Sequence, residues 1–188
     1  MRLLRLLLLL LGSCIPPAEP CDFSAGGLTY NLSALGTLRG ISPNLFRYAV
    51  RPCGDLPAAH QYPLCGARAA PAVEDTPGAC ISLAASGPGA PSALPDGSLG
   101  VAVAFEGGER CGDVARAITL FARCAATEAA PFVTIEGPCL YAMHAATPAA
   151  CPAQCRRDAG GAVCGGAARG HCVARRALDG RAISALRG

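Results

Sequence analysis

The stretch EGPCLYAMHAATPAAC, residues 136–151, sets a carboxylate, a phenol, an imidazole and two sulfurs among small apolar residues. In an extended strand successive side chains point to opposite faces, so Cys139, Tyr141, Met143 and Ala145 share one side. Glu136 lies just before that strand, where a loop can turn its carboxylate towards the same face. Upstream, CGDVARAITLFARC, residues 111–124, places Arg116 at the opening of a second strand that ends at Cys124. A bridge from Cys111 to Cys139 and another from Cys124 to Cys151 would clamp the two strands side by side. Arg116, Glu136 and Tyr141 would then converge at one end of a sheet. A guanidinium that donates a planar fork, a carboxylate that accepts and a phenol that does either make the hydrogen-bond set demanded by vicinal hydroxyls. The competing reading is an Arg–Glu ion pair beside a half-buried tyrosine.

The rest of the chain reads as β structure. LTYNLSAL (28–35), FRYAVRPC (46–53), LGVAVAFEGG (99–108), AITLFARC (117–124), FVTIEG (132–137) and LYAMHA (140–145) each have strand length, with Gly, Pro, Asp or Ser clusters around them. None sustains a helical period. The pattern predicts an all-β, disulfide-stapled sandwich or flattened barrel. SGPGAPSALPDGS, residues 86–98, is too rich in Pro and Gly for a strand and is expected to be a mobile surface loop. Asn31-Leu32-Ser33 is an N-glycosylation acceptor sequence.

The chain opens MRLLRLLLLLLGSC, a charged start followed by a short leucine run, as in a secretory signal peptide. The run is about half of the ~20 residues a membrane span needs. An alternative is a bacterial lipoprotein box, Leu11-Gly12-Ser13-Cys14, with Cys14 lipidated. Residues 1–20 are therefore read as the signal, 21–152 as the main domain and 153–188 as a cysteine-rich basic tail. No membrane span is expected in this chain, and the mature protein is placed in the secretory lumen (endoplasmic reticulum, Golgi or endosome) or outside the cell.

Twelve cysteines include Cys14 in the leader, which leaves eleven from Cys21 onward. In an oxidising compartment that density implies a disulfide framework, and the odd count leaves an unpaired thiol, an intermolecular bond or an incomplete module. All sixteen basic residues are arginine and the net charge is only +3, too little to imply nucleic acid. After Cys151 seven arginines face Asp158 and Asp179; a solvated tail is the plain reading, and a protein partner through the tail is the other. The tail's short loops, with Cys155, Cys164 and Cys172, resemble the front of an epidermal-growth-factor-like module. ARRALDGRAISALRG at the end reads as a short amphipathic helix or a frayed terminus.

Nothing in the chain has the spacing of a catalytic or metal site. His60, His144 and His171 are scattered, there is no G-x-S-x-G elbow, and GGERCGDVARA is not followed by the lysine of a P-loop. No C-x2-C knuckle or paired histidines suggest zinc. The chain is read as a non-enzyme without a cofactor.

The region 21–152 resembles a mannose-6-phosphate receptor homology domain, the lectin fold of the mannose 6-phosphate receptors and of several glycan-handling proteins of the secretory pathway. The family's last motif, E-x-x-C-x-Y-x-F-x-W-x-T-x-x-A-C, stands here as Glu136, Cys139, Tyr141, Met143, Ala145, Thr147, Ala150 and Cys151, with the Phe and Trp replaced. The preceding motif stands as Gly107, Gly108, Cys111, Arg116 and Cys124. CDFSAGGLTYNLSAL and YAVRPCGDL resemble the family's opening segments. The resemblance implies recognition of mannose-type N-glycans, in quality control or lysosomal sorting, with Arg116 at the 2- and 3-hydroxyls, Glu136 at the 3- and 4-hydroxyls and Tyr141 at the 4-hydroxyl. The family's fourth residue, a Gln after a cysteine such as Cys80, is replaced by Ile81. The resemblance further implies the pairs Cys21–Cys53, Cys65–Cys80, Cys111–Cys139 and Cys124–Cys151. Because Ile81 removes an amide from the sugar site, two rivals stand beside the lectin: a protein-interaction module, and a non-catalytic subunit of a glycan-processing enzyme.

Overall fold

A computed structural model describes residues 21–57, 62–65 and 69–152, together with 162–163 and 173–174. The leader with its Cys14 box, His60, His171, Cys155, Cys164, Cys172 and the terminal helix-or-tail stretch after Ala174 lie outside the described residues. Of the region read as growth-factor-like, only a two-residue ladder is described, with Ala162–Val163 (here β14) antiparallel to Val173–Ala174 (β15).

The chain is all-β. A hairpin of β1 (Asp22–Ala25) and β2 (Leu28–Asn31) precedes β3 (Leu38–Ile41), β4 (Arg47–Val50), β5 (Ala72–Thr76), β6 (Ala79–Ser82), β7 (Ser92–Ala93) and β8 (Gly100–Phe105). A small hairpin of β9 (Arg110–Cys111) and β10 (Val114–Ala115) follows, then β11 (Ala117–Cys124), β12 (Ala129–Gly137) and β13 (Leu140–Thr147). Nine of these form one sheet in the order β6-β5-β4-β3-β12-β13-β11-β8-β7. The sheet curls until its inner faces meet: the Tyr48 ring on β4 lies 5.6 Å from that of Tyr141 on β13, centroid to centroid.

Alternation builds the core. On β11, Ile118, Leu120 and Ala122 are buried while their neighbours are half-buried or exposed. On β13, Tyr141, Met143 and Ala145 face the same interior. Met143 occupies a tight space, since a Cβ on Gly40 would come within 3.3 Å of its methyl. A second, smaller cluster of Ala49, Leu56, Tyr62, Ala70 and Val73 surrounds Cys65 and Cys80.

Four disulfides link Cys21 to Cys53, Cys65 to Cys80, Cys111 to Cys139 and Cys124 to Cys151. The last two tie the ends of a parallel pair: β11 and β13 run in register from Ala117↔Leu140 to Cys124↔Thr147. β12, which comes between them in the chain, pairs antiparallel with the other edge of β13 around a turn at Pro138–Cys139. Cys139 adopts φ 75°, a left-handed backbone that a non-glycine residue keeps only when its surroundings fix it. Its bridge to Cys111 supplies that restraint.

Three expectations need correction. The 86–98 segment is not wholly loop: Ser92–Ala93 pairs with β8, and Leu94 is buried under it. The stretch 28–35 leaves the extended form after Asn31 and turns through a 3-10 segment at Ser33–Leu35. The hairpin β5–β6 has no counterpart among the expected strands, because the carboxylates of Glu74 and Asp75 interrupt any apolar alternation, yet both are buried.

Candidate functional site

Arg116 stands at the start of β11, and its position is fixed by backbone contacts. Its N–H donates to the Glu109 carbonyl and its carbonyl accepts from the Gly108 N–H, so the β9–β10 hairpin presents it. Gly108 itself must be glycine for reasons of space: a Cβ there would lie 2.5–2.6 Å from backbone atoms of Ser82 and Leu83. The Gly-Gly turn thereby lies directly on the end of β6. The next residue, Ala117, donates from its N–H to the Cys139 carbonyl, which locks the register that sets Arg116 beside Tyr141.

The guanidinium turns inward. Its Nη1 donates to the Tyr141 hydroxyl at 2.6 Å and lies 3.8 Å from Oε2 of Glu74. Glu74 also accepts a hydrogen bond from the Tyr48 hydroxyl, at 2.9 Å on Oε1. Arg116 is the member that reaches solvent, with a side chain 19% exposed against 4% for Glu74. Two buried atoms of this cluster, Glu74 Oε2 and Arg116 Nε, have no hydrogen-bond partner in the protein. Burial, with the Glu74 charge adding to it and Arg116 working against it, pushes the Tyr141 phenol above its ordinary value. Burial pushes Tyr48 up as well.

Of the three residues expected to converge, Arg116 and Tyr141 meet and Glu136 does not join them. Glu136 is exposed, and its carboxylate accepts from the Thr134 hydroxyl at 2.5 Å. The Thr134 oxygen is in turn 3.1 Å from His144 Nε2. Thr134 and His144 face outward, so this chain of contacts belongs to the outer side of the sheet. A register shift between Ile135 and Gly137, just ahead of the β12–β13 turn, accompanies that placement. The carboxylate that meets Arg116 is Glu74, from a hairpin on the opposite half of the sheet. Ile81 stands directly across the ladder from Glu74 and packs against the core. The sequence signal for Glu74 and Tyr48 was thin: an acidic pair in a short Val-Glu-Asp-Thr run and a tyrosine in an apolar strand.

The outer side carries a different surface. Ile41, Phe132, His144 and Phe121 form a row across β3, β12, β13 and β11, each in register with the next. His144 is stacked between Phe132, at 4.7 Å, and Phe121, at 5.2 Å. An open groove of ≈ 510 Å³ runs over this face, from Leu94, Asp96 and Arg123 to Glu136 and Leu140. At its far end Asp96 accepts from the Ser98 hydroxyl and N–H and is paired with Arg123, contacts that hold its carboxyl down to about 2.

Asn31 lies at the end of β2, where its amide donates to Asp22 at 2.7 Å and its oxygen accepts from the Ser33 backbone and hydroxyl. Among the described residues, no group of three or more His, Cys, Asp or Glu side chains could hold a metal ion. Among them, too, no helix is long and apolar enough to cross a membrane.

No family model matches the chain, and no curated protein matches it. Among solved structures, domain 11 of chicken IGF2R is similar to it, with 11% identity and a TM-score of 0.49 over 66% of this chain and 85% of that one. At that level of likeness, any functional reading rests on the chain's own residues.

Proposed function

We propose that this protein is a non-catalytic lectin that recognises mannose-type N-glycans of glycoproteins in the lumen of the secretory or endosomal pathway. The observation that carries the reading is the cluster of Arg116, Tyr141 and Glu74, in which Arg116 is the member that reaches solvent. A sugar hydroxyl is both acceptor and donor, and so suits a guanidinium set beside a phenol. The motif spacing of Gly107, Gly108, Cys111, Arg116 and Cys124, and of Cys139, Tyr141, Thr147 and Cys151, supports the choice of sugar. Four disulfides suit an oxidising lumen. In this reading residues 1–20 are the signal, 21–152 the lectin domain and 153–188 a basic tail open to a protein partner. Asn31 is the glycosylation acceptor.

The secreted full chain, assayed against a panel of high-mannose and phosphomannosyl glycans, tests this. Binding is expected, with a roughly two- to tenfold loss in Tyr141→Phe, which removes one neutral hydrogen bond. Absence of binding by a chain with all four bridges formed would move the function to protein contacts.

One observation favours such a second reading, a protein-interaction module or an accessory subunit of a glycan-processing enzyme. The outer row exposes Ile41 by 56% and Phe132 by 53%, with Leu140 nearby about half exposed. Contiguous apolar surface of this kind is a contact face more often than it is idle. Co-purification of a stoichiometric partner that Phe132→Asp abolishes, with no glycan response, is the outcome this reading requires.

A further inference from the structure

The curled sheet covers its outer side with its own chain on one half. There the outward residues Ala49, Val73 and Cys80 of β4, β5 and β6 are buried against Leu56, Tyr62 and Cys65. Over β12, β13 and β11 an open groove stands in place of such a cover. That is unusual for β11 and β13, because parallel neighbours are ordinarily covered on both faces.

The bare half has a regular relief. One row of large side chains, Phe132, His144 and Phe121, crosses it as a ridge. Two residues along each strand, about 7 Å away, the next row is Thr134, Ala142 and Thr119, which forms a shallow trough. Beyond the trough lies Leu140, with Glu136 near it in β12; beyond the ridge, on the other side, lie Ala146 and Arg123. Ridge and trough are thus matched in width, and the rows that flank them carry opposite charges. Glu136 accepts from the Thr134 hydroxyl and, among the described residues, is in no ion pair. Arg123 donates from Nη2 to Asp96, whose other oxygen is taken by Ser98, and its side chain remains 52% exposed with further N–H donors to offer.

The geometry points to a second copy of this chain as the occupant of that face, docked about a two-fold axis that runs along the line between ridge and trough. Such an axis sets each ridge into the partner's trough, with the two sheets about 10 Å apart as in a β-sandwich. The same operation carries the row of Leu140 and Glu136 onto the row of the partner's Arg123. Because a two-fold contact repeats itself, the approach of Glu136 to the partner's Arg123 is made twice. In projection the two residues stand two strands, about 10 Å, apart, a gap that a glutamate and an arginine close between them. A foreign surface would have to bring its own ridge, trough and pair of charges; this face supplies all of them to itself. The inward cluster of Arg116, Tyr141 and Glu74 takes no part, so the proposal stands apart from the lectin reading.

Sedimentation velocity of the secreted, fully oxidised chain over a dilution series is the first test, with a mass of two chains expected at the upper concentrations. Phe132→Asp should weaken self-association at least about tenfold. The charges test the axis. Glu136→Arg meets the partner's Arg123 twice, and Arg123→Glu meets the partner's Glu136 twice, so each variant alone is expected to lose about two- to tenfold in affinity. An equimolar mixture of the two variants restores both opposite-charge contacts and should dimerise within about twofold of wild type. Mixing cannot rescue a misfolded chain, so recovery reads the contact and not the fold. Wild type that keeps the mass of one chain at every concentration overturns the proposal, as does a stable mass that includes a different protein. A dimer indifferent to Phe132→Asp overturns the choice of face. Charge variants that keep the β circular dichroism of wild type and are not rescued by mixing overturn the axis.

Discussion

Arg116 and Glu74 form a mostly buried ion pair, and such a pair is asymmetric in its energetics. Desolvation of both charges consumes most of what their attraction returns, so the pair adds little net stability, whereas removal of one partner strands the other. Arg116→Ala is therefore expected to destabilise the chain by about 3–5 kcal/mol, because Glu74 is left with the Tyr48 hydroxyl as its hydrogen-bond donor. The double variant Arg116→Met/Glu74→Met should recover most of that loss. Denaturant unfolding of the oxidised proteins checks both, and full additivity of the two single changes would show that they do not interact. Half of this cluster was legible in the sequence. Arg116 and Tyr141 stand at fixed offsets from cysteines, and those offsets survive folding because strands are periodic. Glu74 was not legible, since no spacing links it to Arg116: they meet only because the sheet curls. Glu136 stands apart from the expectation because it is not in a loop but in β12, two residues from Thr134, so strand alternation gives it Thr134's outer face.

Elements were legible where alternation was clean. The strands that became β8, β11 and β13 follow the expected runs closely, whereas β5 and β6 are hidden by buried acids, and β7 is two residues inside a Pro- and Gly-rich segment. Pairing itself was less accessible: that β11 and β13 are parallel, with β12 folded back beside β13, is a property of the whole sheet. The Gly-Gly turn before β9 shows how a local motif serves that pairing. Gly108 lets the turn lie directly on the end of β6, and the turn delivers Arg116 into register. In Gly108→Ala the added methyl would meet backbone rather than a pliable side chain, so relief requires the turn to move. A loss above about 3 kcal/mol is expected, at the severe end for single substitutions. Gly107→Ala has ordinary space around its Cβ but must keep φ +74°, and should cost about 1 kcal/mol. Equal midpoints for the two variants in denaturant would show that close approach is not what Gly108 provides.

At the scale of the molecule, stability among the described residues is distributed between a modest core and four covalent bridges, each worth typically about 2–4 kcal/mol. The aromatic share of that core is unusually uniform in one respect. The chain has four tyrosines, Tyr30, Tyr48, Tyr62 and Tyr141, and all are buried. Burial is the leading cause that raises the phenol of each above its ordinary value near 10. A raised folded-state pKa means that the unfolded chain gives up phenolic protons first as pH climbs. The stability linked to these groups is therefore fully present below about pH 10 and is lost as pH rises through the folded-state values. Ultraviolet titration of the oxidised protein should accordingly show few phenolates at about pH 10, where free tyrosines would be half ionised. Their absorbance should appear together with loss of the β signal in circular dichroism, as one cooperative alkaline transition. Two or more tyrosines that ionise reversibly near pH 10 while the sheet stays intact would show that the curled sheet does not close over them.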